Sequence, residues 1–184
     1  MKITNIEFKA IAKDLKKLEQ KLIEINPVFI GEDHQIDTYF NVAEGRLKLR
    51  EGQIENALIY YEREDKADAK RSDVLLYKHQ PDNSLKSILI KLYGIKVIVD
   101  KKRKIYFIDN VKIHFDTIDE LGTFVEVEAI DDSGKIEVQE LKEQCNKYFS
   151  FFGLEQSDFI NARTQCCNEQ RSYLLLCFAR SRSL

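Results

Sequence analysis

The sequence is poor in the residues that mark fibrous, low-complexity or disulfide-stapled chains. It has no tryptophan, two prolines and seven glycines among 184 residues, which excludes collagen-like and proline-rich chains. Its four cysteines form no Cys-x-x-Cys pair, so neither a zinc finger nor a disulfide scaffold is expected. Hydrophobic residues make up 43% of the chain, enough for one domain with its own core.

Long apolar runs and a strong excess of one charge are also missing. No apolar run approaches the roughly 20 residues of a membrane span, and the first residues carry no signal-peptide core, so we expect a cytoplasmic protein. With 29 basic and 31 acidic residues the net charge is -2, which argues against nucleic-acid and membrane-surface partners. The expected partner is a small molecule, bound by a monomer or a homodimer.

Three segments have the apolar periodicity of helices. One follows Asp14 and ends at Asn26-Pro27, a second begins near Asp82 and stops at Gly94, and a third lies between Ser133 and Gly153. The remaining pattern predicts strands at 3–9, 35–40, 45–51, 57–63, 73–77, 95–103, 104–108, 111–118 and 123–129, with a hairpin turn at Asp109-Asn110. Strands dominate without a βαβ rhythm, which predicts an α+β fold with an antiparallel sheet or barrel.

The predicted strands carry charge on one face and apolar side chains on the other, because successive side chains point to opposite faces. Several charged faces have one sign, as in Arg46-x-Lys48-x-Arg50 and Glu126-x-Glu128. Strands of like charge would repel each other in an open sheet. We therefore predict a closed barrel with charges in its lumen and an apolar outer face covered by the three helices.

The cations of such a lumen need anions or water beside them, because unpaired buried cations cost several kcal/mol each. A triphosphate would meet the basic side chains Lys48, Arg50, Arg63, Lys101 and Arg103. The carboxylates suit Mg²⁺ or Mn²⁺ and are Glu7, Asp116, Glu126 and Glu128. No glycine-rich phosphate loop is present, so this is not a P-loop site. Like charges would crowd the empty lumen, so we expect Arg50→Ala and Arg103→Ala not to lower ligand-free stability.

Four ordered blocks resemble the CYTH domain family, the triphosphate tunnel metalloenzymes, and most closely its class IV adenylate cyclase-like branch. The first block is Asn5-Ile6-Glu7-Phe8-Lys9, similar to a Glu-x-Glu-x-Lys signature. The second runs from Gln35-x-Asp37-Thr38-Tyr39-Phe40 to Gly45-Arg46-Leu47-Lys48-Leu49-Arg50-Glu51. The later blocks are Val99-x-Lys101-x-Arg103 and Leu121-Gly122-x-Phe124-x-Glu126-x-Glu128.

The resemblance implies an eight-stranded antiparallel tunnel at 1–163, followed by an atypical tail at 164–184. It implies a triphosphate substrate with Mg²⁺ or Mn²⁺ as cofactor. Metal would be held by Glu7, Asp116, Glu126 and Glu128, and phosphates by Lys9, Lys48, Arg50, Arg63, Lys101 and Arg103. We assign catalysis to Lys9, Arg50 and Glu7. Arg71 lies where a further family arginine could fall.

One departure from the family pattern keeps three functions open. Asn5 replaces the first glutamate of the signature, and an amide offers one carbonyl oxygen in place of a carboxylate. The chain is predicted to be a metal-dependent triphosphatase; the alternatives are a class IV-type adenylate cyclase and a non-catalytic polyphosphate-binding module. Three further lumen side chains have two interpretations each: His114 touches substrate or bonds a carboxylate, and Tyr39 and Tyr61 stack on a base or pack.

Overall fold

A computed structural model describes residues 2–63, 69–119 and 121–160 of the chain. The predicted tail at 164–184 and the last residues of the predicted domain lie outside the described residues. The strands are β1 (Lys2–Ile11), β2 (Val28–Phe40), β3 (Arg46–Glu51), β4 (Ala57–Arg63), β5 (Lys70–Lys78), β6 (Ile95–Ile108), β7 (Val111–Ile118) and β8 (Gly122–Asp131). The helices are α1 (Leu15–Ile23), α2 (Asn83–Tyr93) and α3 (Val138–Phe152).

The eight strands form one closed antiparallel barrel in the order β1-β5-β4-β3-β2-β6-β7-β8, and β8 closes it by pairing with β1. The predicted α+β class and closed barrel are therefore confirmed. The prediction of nine strand segments is wrong at one place, because 95–103 and 104–108 form the single strand β6. No turn interrupts this strand, and it pairs along most of its length with β2, which begins at Val28 rather than near residue 35.

The predicted helix ends are confirmed by their capping contacts. The Asp14 carboxylate accepts from the backbone N–H of Lys17, and Asp82 accepts from that of Ser84. Such side chains satisfy backbone donors that the first helical turn leaves unpaired. Gly153 ends α3 in the left-handed conformation that favours glycine, with φ of 65°.

The main apolar core lies outside the barrel, between its wall and the helices α1 and α3. Leu141, Cys145 and Phe152 of α3 pack on Ile6 of β1 and Val127 of β8, all at most 5% exposed. A smaller cluster joins Leu89 of α2 to the β2–β3 side of the wall. The ionic side chains lie on the opposite face of the wall, in the lumen, where a small apolar cluster of Ala57, Ile59 and Tyr61 lies beside them.

The three helices lie outside the barrel, as predicted, and they cover only part of its outer face. Leu75 and Tyr77 of β5 and Ile98 of β6 are about half exposed or more, at 54%, 65% and 47%. The main contacts with the wall come from α3 against β1 and β8, and α1 and α2 add smaller contacts with β8 and β2. Three short helices do not reach round a barrel of eight strands.

Candidate functional site

One half of the lumen is organised around a single buried carboxylate, Asp37 on β2. Its oxygens accept from Lys48 Nζ at 3.1 Å, from Arg50 at 2.8 and 3.0 Å, and from Lys101 Nζ at 2.9 Å. Asp37 and Lys101 are 1% and 2% exposed. We call Asp37, Lys48, Arg50 and Lys101 the cation cluster. Three cations that the sequence assigns to phosphate therefore converge on one point of the lumen.

The charges of the cation cluster shift each other's protonation. Burial alone would raise the pKa of Asp37, but Arg50, Lys101 and Lys48 outweigh it and hold the pKa well below its usual range. Burial and the neighbouring Arg103 lower the pKa of Lys101 well below its usual value. A further anion in this cluster would favour the charged ammonium of Lys101.

A second ionic network fills the next part of the lumen. Arg103 donates to both oxygens of Asp116 at 2.6 and 2.7 Å and to Glu126 at 2.5 Å. Lys9 Nζ lies 2.5 Å from Asp116 and 3.5 Å from Glu126. Burial would raise the pKa of Asp116, but Arg103, Lys9 and, less strongly, Lys101 hold it well below its usual value. Since Lys101 belongs to the cation cluster, the two networks interact electrostatically.

Every lumen arginine in these two networks has a carboxylate partner, which contradicts the expectation of crowded, unpaired like charges. Arg50 and Arg103 each bind a buried aspartate through two donors. Removing one partner of a buried ion pair leaves the other uncompensated. Loss of either arginine is thus expected to lower ligand-free stability, not to leave it unchanged.

A loop after β3 adds a carboxylate that the sequence reasoning missed. Glu55 accepts from Arg50 Nη1 at 2.8 Å and also binds Lys112. The loop is held by Asp33, whose carboxylate accepts from the backbone N–H groups of residues 53, 54 and 55 at 2.7 to 3.0 Å. Gly52 permits this approach, because a Cβ there would lie 2.6 Å from an Asp33 oxygen. Alternation along strands cannot reveal a loop residue such as Glu55.

Asp37 is the other functional candidate that was missed, although the sequence held a signal for it. It stands in phase with Gln35 and Tyr39 on β2, and the period-2 rule that selected Lys48 and Arg50 also selects Asp37. It faces Arg50 directly in the β2–β3 register.

The carboxylate end of the lumen comprises Glu126, Glu128 and His114. One potential ligand atom from each lies within 4.8 Å of the others. Burial and the nearby charge of Glu126 raise the pKa of Glu128 to about 7, while Lys9 and Arg103 overcome the effect of burial and lower that of Glu126. Two close carboxylates that cannot both ionise easily are a donor set that fits a divalent cation.

Glu7 and Asn5 of β1 border the carboxylate end. Glu7 lies opposite Glu128 in the β1–β8 register, and the Asn5 amide donates to Glu7 at 3.3 Å. The Asn5 carbonyl oxygen is buried and accepts no hydrogen bond from the residues that the structure describes. An acceptor of this kind also suits a cation.

The predicted site residues therefore come together in one lumen, with two exceptions. Arg63 ends β4 opposite Ser72, and its side chain lies outside the described part. Arg71, where a further family arginine could fall, lies on the exposed outer face and pairs with Asp73 at 3.1 Å, so it does not join the lumen cations. Tyr39 and Tyr61 are buried beside Lys48, whose Nζ lies 5.5 and 5.8 Å from their ring centroids.

Comparison with known proteins assigns the chain to a family. The family model of the CYTH domain matches residues 4–160. The chain belongs to the CYTH family. CYTH proteins are enzymes of triphosphate substrates and depend on divalent metal ions. No curated protein matches the chain.

Solved structures share the CYTH fold with this chain. The PH1012 protein of Pyrococcus horikoshii has a TM-score of 0.73 and 22% identity, over 84% of this chain and 93% of its own. A candidate adenylate cyclase of Vibrio parahaemolyticus has a TM-score of 0.67 and 19% identity, over 92% of this chain and 97% of its own. An adenylyl cyclase candidate from Hippeastrum with a dominant triphosphatase activity has a TM-score of 0.57 and 12% identity, over 84% of this chain and 89% of its own. At these identities the likeness shows the fold alone.

Among the described residues of this CYTH chain, no helix is long and apolar enough to cross a membrane.

Proposed function

We propose that this CYTH protein is a triphosphatase that hydrolyses a nucleoside, thiamine or inorganic triphosphate with Mg²⁺ or Mn²⁺. The carrying observation is the adjacency of the cation cluster to the carboxylate end within one closed lumen. Lys48, Arg50 and Lys101 meet at Asp37, and Arg103 connects Asp116 to Glu126. The phosphate chain needs the basic side chains of the cation cluster, and a divalent cation needs the carboxylates of the carboxylate end.

Phosphate oxygens would replace Asp37 as the partner of the lumen cations. The guanidinium of Arg50 already presents two donors to a carboxylate, and the same planar fork fits two phosphate oxygens. Lys101 is the most deeply buried cation of the cluster, and its ammonium would be charged once a phosphate lies beside it. Arg103 and Lys9 would then contact the phosphate nearest to the carboxylate end.

Hydrolysis would break the terminal phosphoanhydride bond. The oxygen of a water molecule bonds to the terminal phosphorus, the bond from that phosphorus to the bridging oxygen breaks, and diphosphate leaves with the electron pair. One proton of the water stays on the orthophosphate that forms, and the other passes to the diphosphate or to solvent. Lys9 and Arg50 would stabilise the charge that develops on the phosphoryl and leaving oxygens. Glu7, Asp116, Glu126 and Glu128 remain the proposed holders of the cation, and Asp116 would share its oxygens between the cation, Arg103 and Lys9. When bound, the cation supplies Lewis-acid stabilisation of the phosphate charge.

A non-catalytic polyphosphate binder is the second candidate, and Asn5 favours it. The amide brings no charge to the cation, and its nitrogen is engaged with Glu7. The adenylate cyclase alternative would use the same lumen with a different phosphorus at the cation, and it requires a pocket for the base.

A product panel distinguishes the three. Purified protein receives inorganic triphosphate, thiamine triphosphate or ATP with each metal, and orthophosphate, pyrophosphate and cyclic nucleotide are counted separately. We expect orthophosphate, lost in Arg50→Ala and kept in Arg71→Ala, whose arginine lies outside the barrel. Cyclic nucleotide with pyrophosphate would favour the cyclase, and triphosphate binding without any product would favour the binder.

A further inference from the structure

His114 is a fully buried imidazole without a hydrogen bond to any residue that the structure describes. It lies in the middle of β7, is 0% exposed, and neither Nδ1 nor Nε2 has a hydrogen-bond partner there. Leaving a buried polar atom unsatisfied costs about 1–3 kcal/mol. Such a group in a native lumen calls for a partner other than the residues that the structure describes.

The imidazole faces the two glutamates of the carboxylate end. Nδ1 lies 3.5 Å from a Glu126 oxygen and 3.8 Å from a Glu128 oxygen, both longer than the usual range of about 2.7–3.2 Å for an N–H···O hydrogen bond. Two ligands of one ion at about 2.1 Å each lie no more than roughly 4.2 Å apart, and these donor atoms are within 4.8 Å of one another. Small side-chain rotations would therefore bring all three to one cation.

We propose that His114 is a nitrogen ligand of the cation at the carboxylate end, which makes the site selective for Mn²⁺ or another transition-metal ion over Mg²⁺. The inference rests on the metal end of the proposed function and adds the identity of a ligand and of the preferred ion. Imidazole binds transition metals well, whereas Mg²⁺ prefers oxygen ligands and gives up its water reluctantly. Replacing one oxygen ligand by nitrogen thus shifts the preference.

The interpretation of His114 as a structural residue fits the geometry less well. A histidine that serves to bind a neighbouring carboxylate places a ring nitrogen within about 3 Å of it, and His114 does not. His34 gives the contrast within the same chain, since its Nε2 lies 2.7 Å from Asp100.

Electron spin echo spectroscopy of Mn²⁺ bound to the protein tests the ligand directly and without turnover. The sample is the full chain with Mn²⁺ alone, prepared with natural histidine and with ¹⁵N-imidazole histidine. A directly coordinated imidazole gives a ¹⁴N modulation that labelling replaces with that of ¹⁵N. We expect this replacement in the wild type, loss of the nitrogen signal in His114→Gln, and its retention in His34→Gln.

A titration of the same proteins measures the selectivity. His114→Gln should weaken Mn²⁺ binding about tenfold or more, the scale on which metal sites respond to loss of a supporting group, and change Mg²⁺ binding much less. Where His114→Gln does not fold, His34→Gln and His79→Gln decide the question, because nitrogen coupling kept in both leaves His114 as the one remaining histidine of the sequence, and coupling lost in either overturns the assignment.

The outcomes separate this inference from the proposed function, because phosphate release is measured on the same wild-type sample. Bound Mn²⁺ without nitrogen coupling, together with triphosphate hydrolysis, overturns the role of His114 and leaves the triphosphatase standing. Nitrogen coupling without hydrolysis supports His114 and contradicts the triphosphatase. Failure to bind Mn²⁺ overturns the His114 inference.

Discussion

Asp37→Asn removes the charge that holds the cation cluster together. The carboxylate accepts from Lys48, Arg50 and Lys101 at 2.8 to 3.1 Å and is 1% exposed. The amide keeps the shape but leaves three cations close together around a neutral group. Removing one partner from a buried ion pair costs about 3–5 kcal/mol. We place Asp37→Asn within this range, because Lys101 can relieve part of the repulsion by losing its proton.

The destabilisation should be large enough to see by heating, and a polyanion should reverse it. For a chain of this size 1 kcal/mol lowers the Tm by about 2–4 °C, so we expect a fall of roughly 10 °C in scanning calorimetry without ligand. Inorganic triphosphate supplies the negative charge that the variant's amide lacks. It should therefore raise the Tm of Asp37→Asn by more than it raises that of the wild type.

Asp100→Asn is the matched control, because Asp100 is an exposed aspartate whose contact with His34 lies on the surface. Exposed ion pairs contribute about 0–1 kcal/mol, so this variant should melt close to the wild type. The reasoning about the cation cluster is refuted if Asp37→Asn melts like the wild type, or if triphosphate raises the Tm of both proteins equally.

Three further predictions concern the other side chains of the lumen. The pKa of Glu128 is about 7 in the folded protein, against an ordinary value of 4.5. Between these two pH values the folded state keeps a proton that the unfolded chain loses. The free energy of unfolding without metal should therefore fall by about 3 kcal/mol from pH 4.5 to 7. Glu128→Gln should remove that part of the fall in urea titrations with a chelator, and an unchanged pH dependence would speak against it. Arg103→Ala should weaken triphosphate binding by about 1.5–3 kcal/mol in calorimetric titration, the range for hydrogen bonds to charged groups. It should also lower ligand-free stability, because Asp116 and Glu126 lose a shared partner. Equal triphosphate affinity in the variant and the wild type would exclude a phosphate contact of Arg103. Asn5→Glu should tighten metal binding or raise hydrolysis if the amide weakens the cation site, and no change in either quantity would show that position 5 lies outside it.

The sequence predicted the lumen wall well because its signal is local. Alternation along a strand assigns a face to each side chain, so Lys48, Arg50, Lys101 and Arg103 could be placed on one surface before the barrel was known. Several of these strands carry charge of one sign, which predicted that the sheet closes into a barrel. The closed barrel confirms that prediction. The helix caps at Asp14 and Asp82 were predictable for the same local reason.

The ionic partners of those side chains were not predictable, since they depend on contacts between distant segments. Asp37 neutralises Lys101 across 64 positions of sequence, and Glu55 reaches the lumen from a loop that Asp33 holds. The sequence also could not show that 95–108 forms one strand, β6, rather than two shorter ones. The continuity of a strand depends on its pairing with neighbouring strands, which are distant in sequence. The incomplete covering of the outer face likewise depends on where three helices dock.

Anomalous diffraction at the manganese edge tests the central claim most directly. Crystals of the protein would be grown with Mn²⁺ and a non-hydrolysable imido analogue of inorganic triphosphate. We predict a manganese peak beside Glu126 and Glu128, with the phosphate chain between it and the cluster of Lys48, Arg50 and Lys101. Manganese and phosphate bound together outside the barrel, with Asp37 still paired to its three cations, would contradict the account.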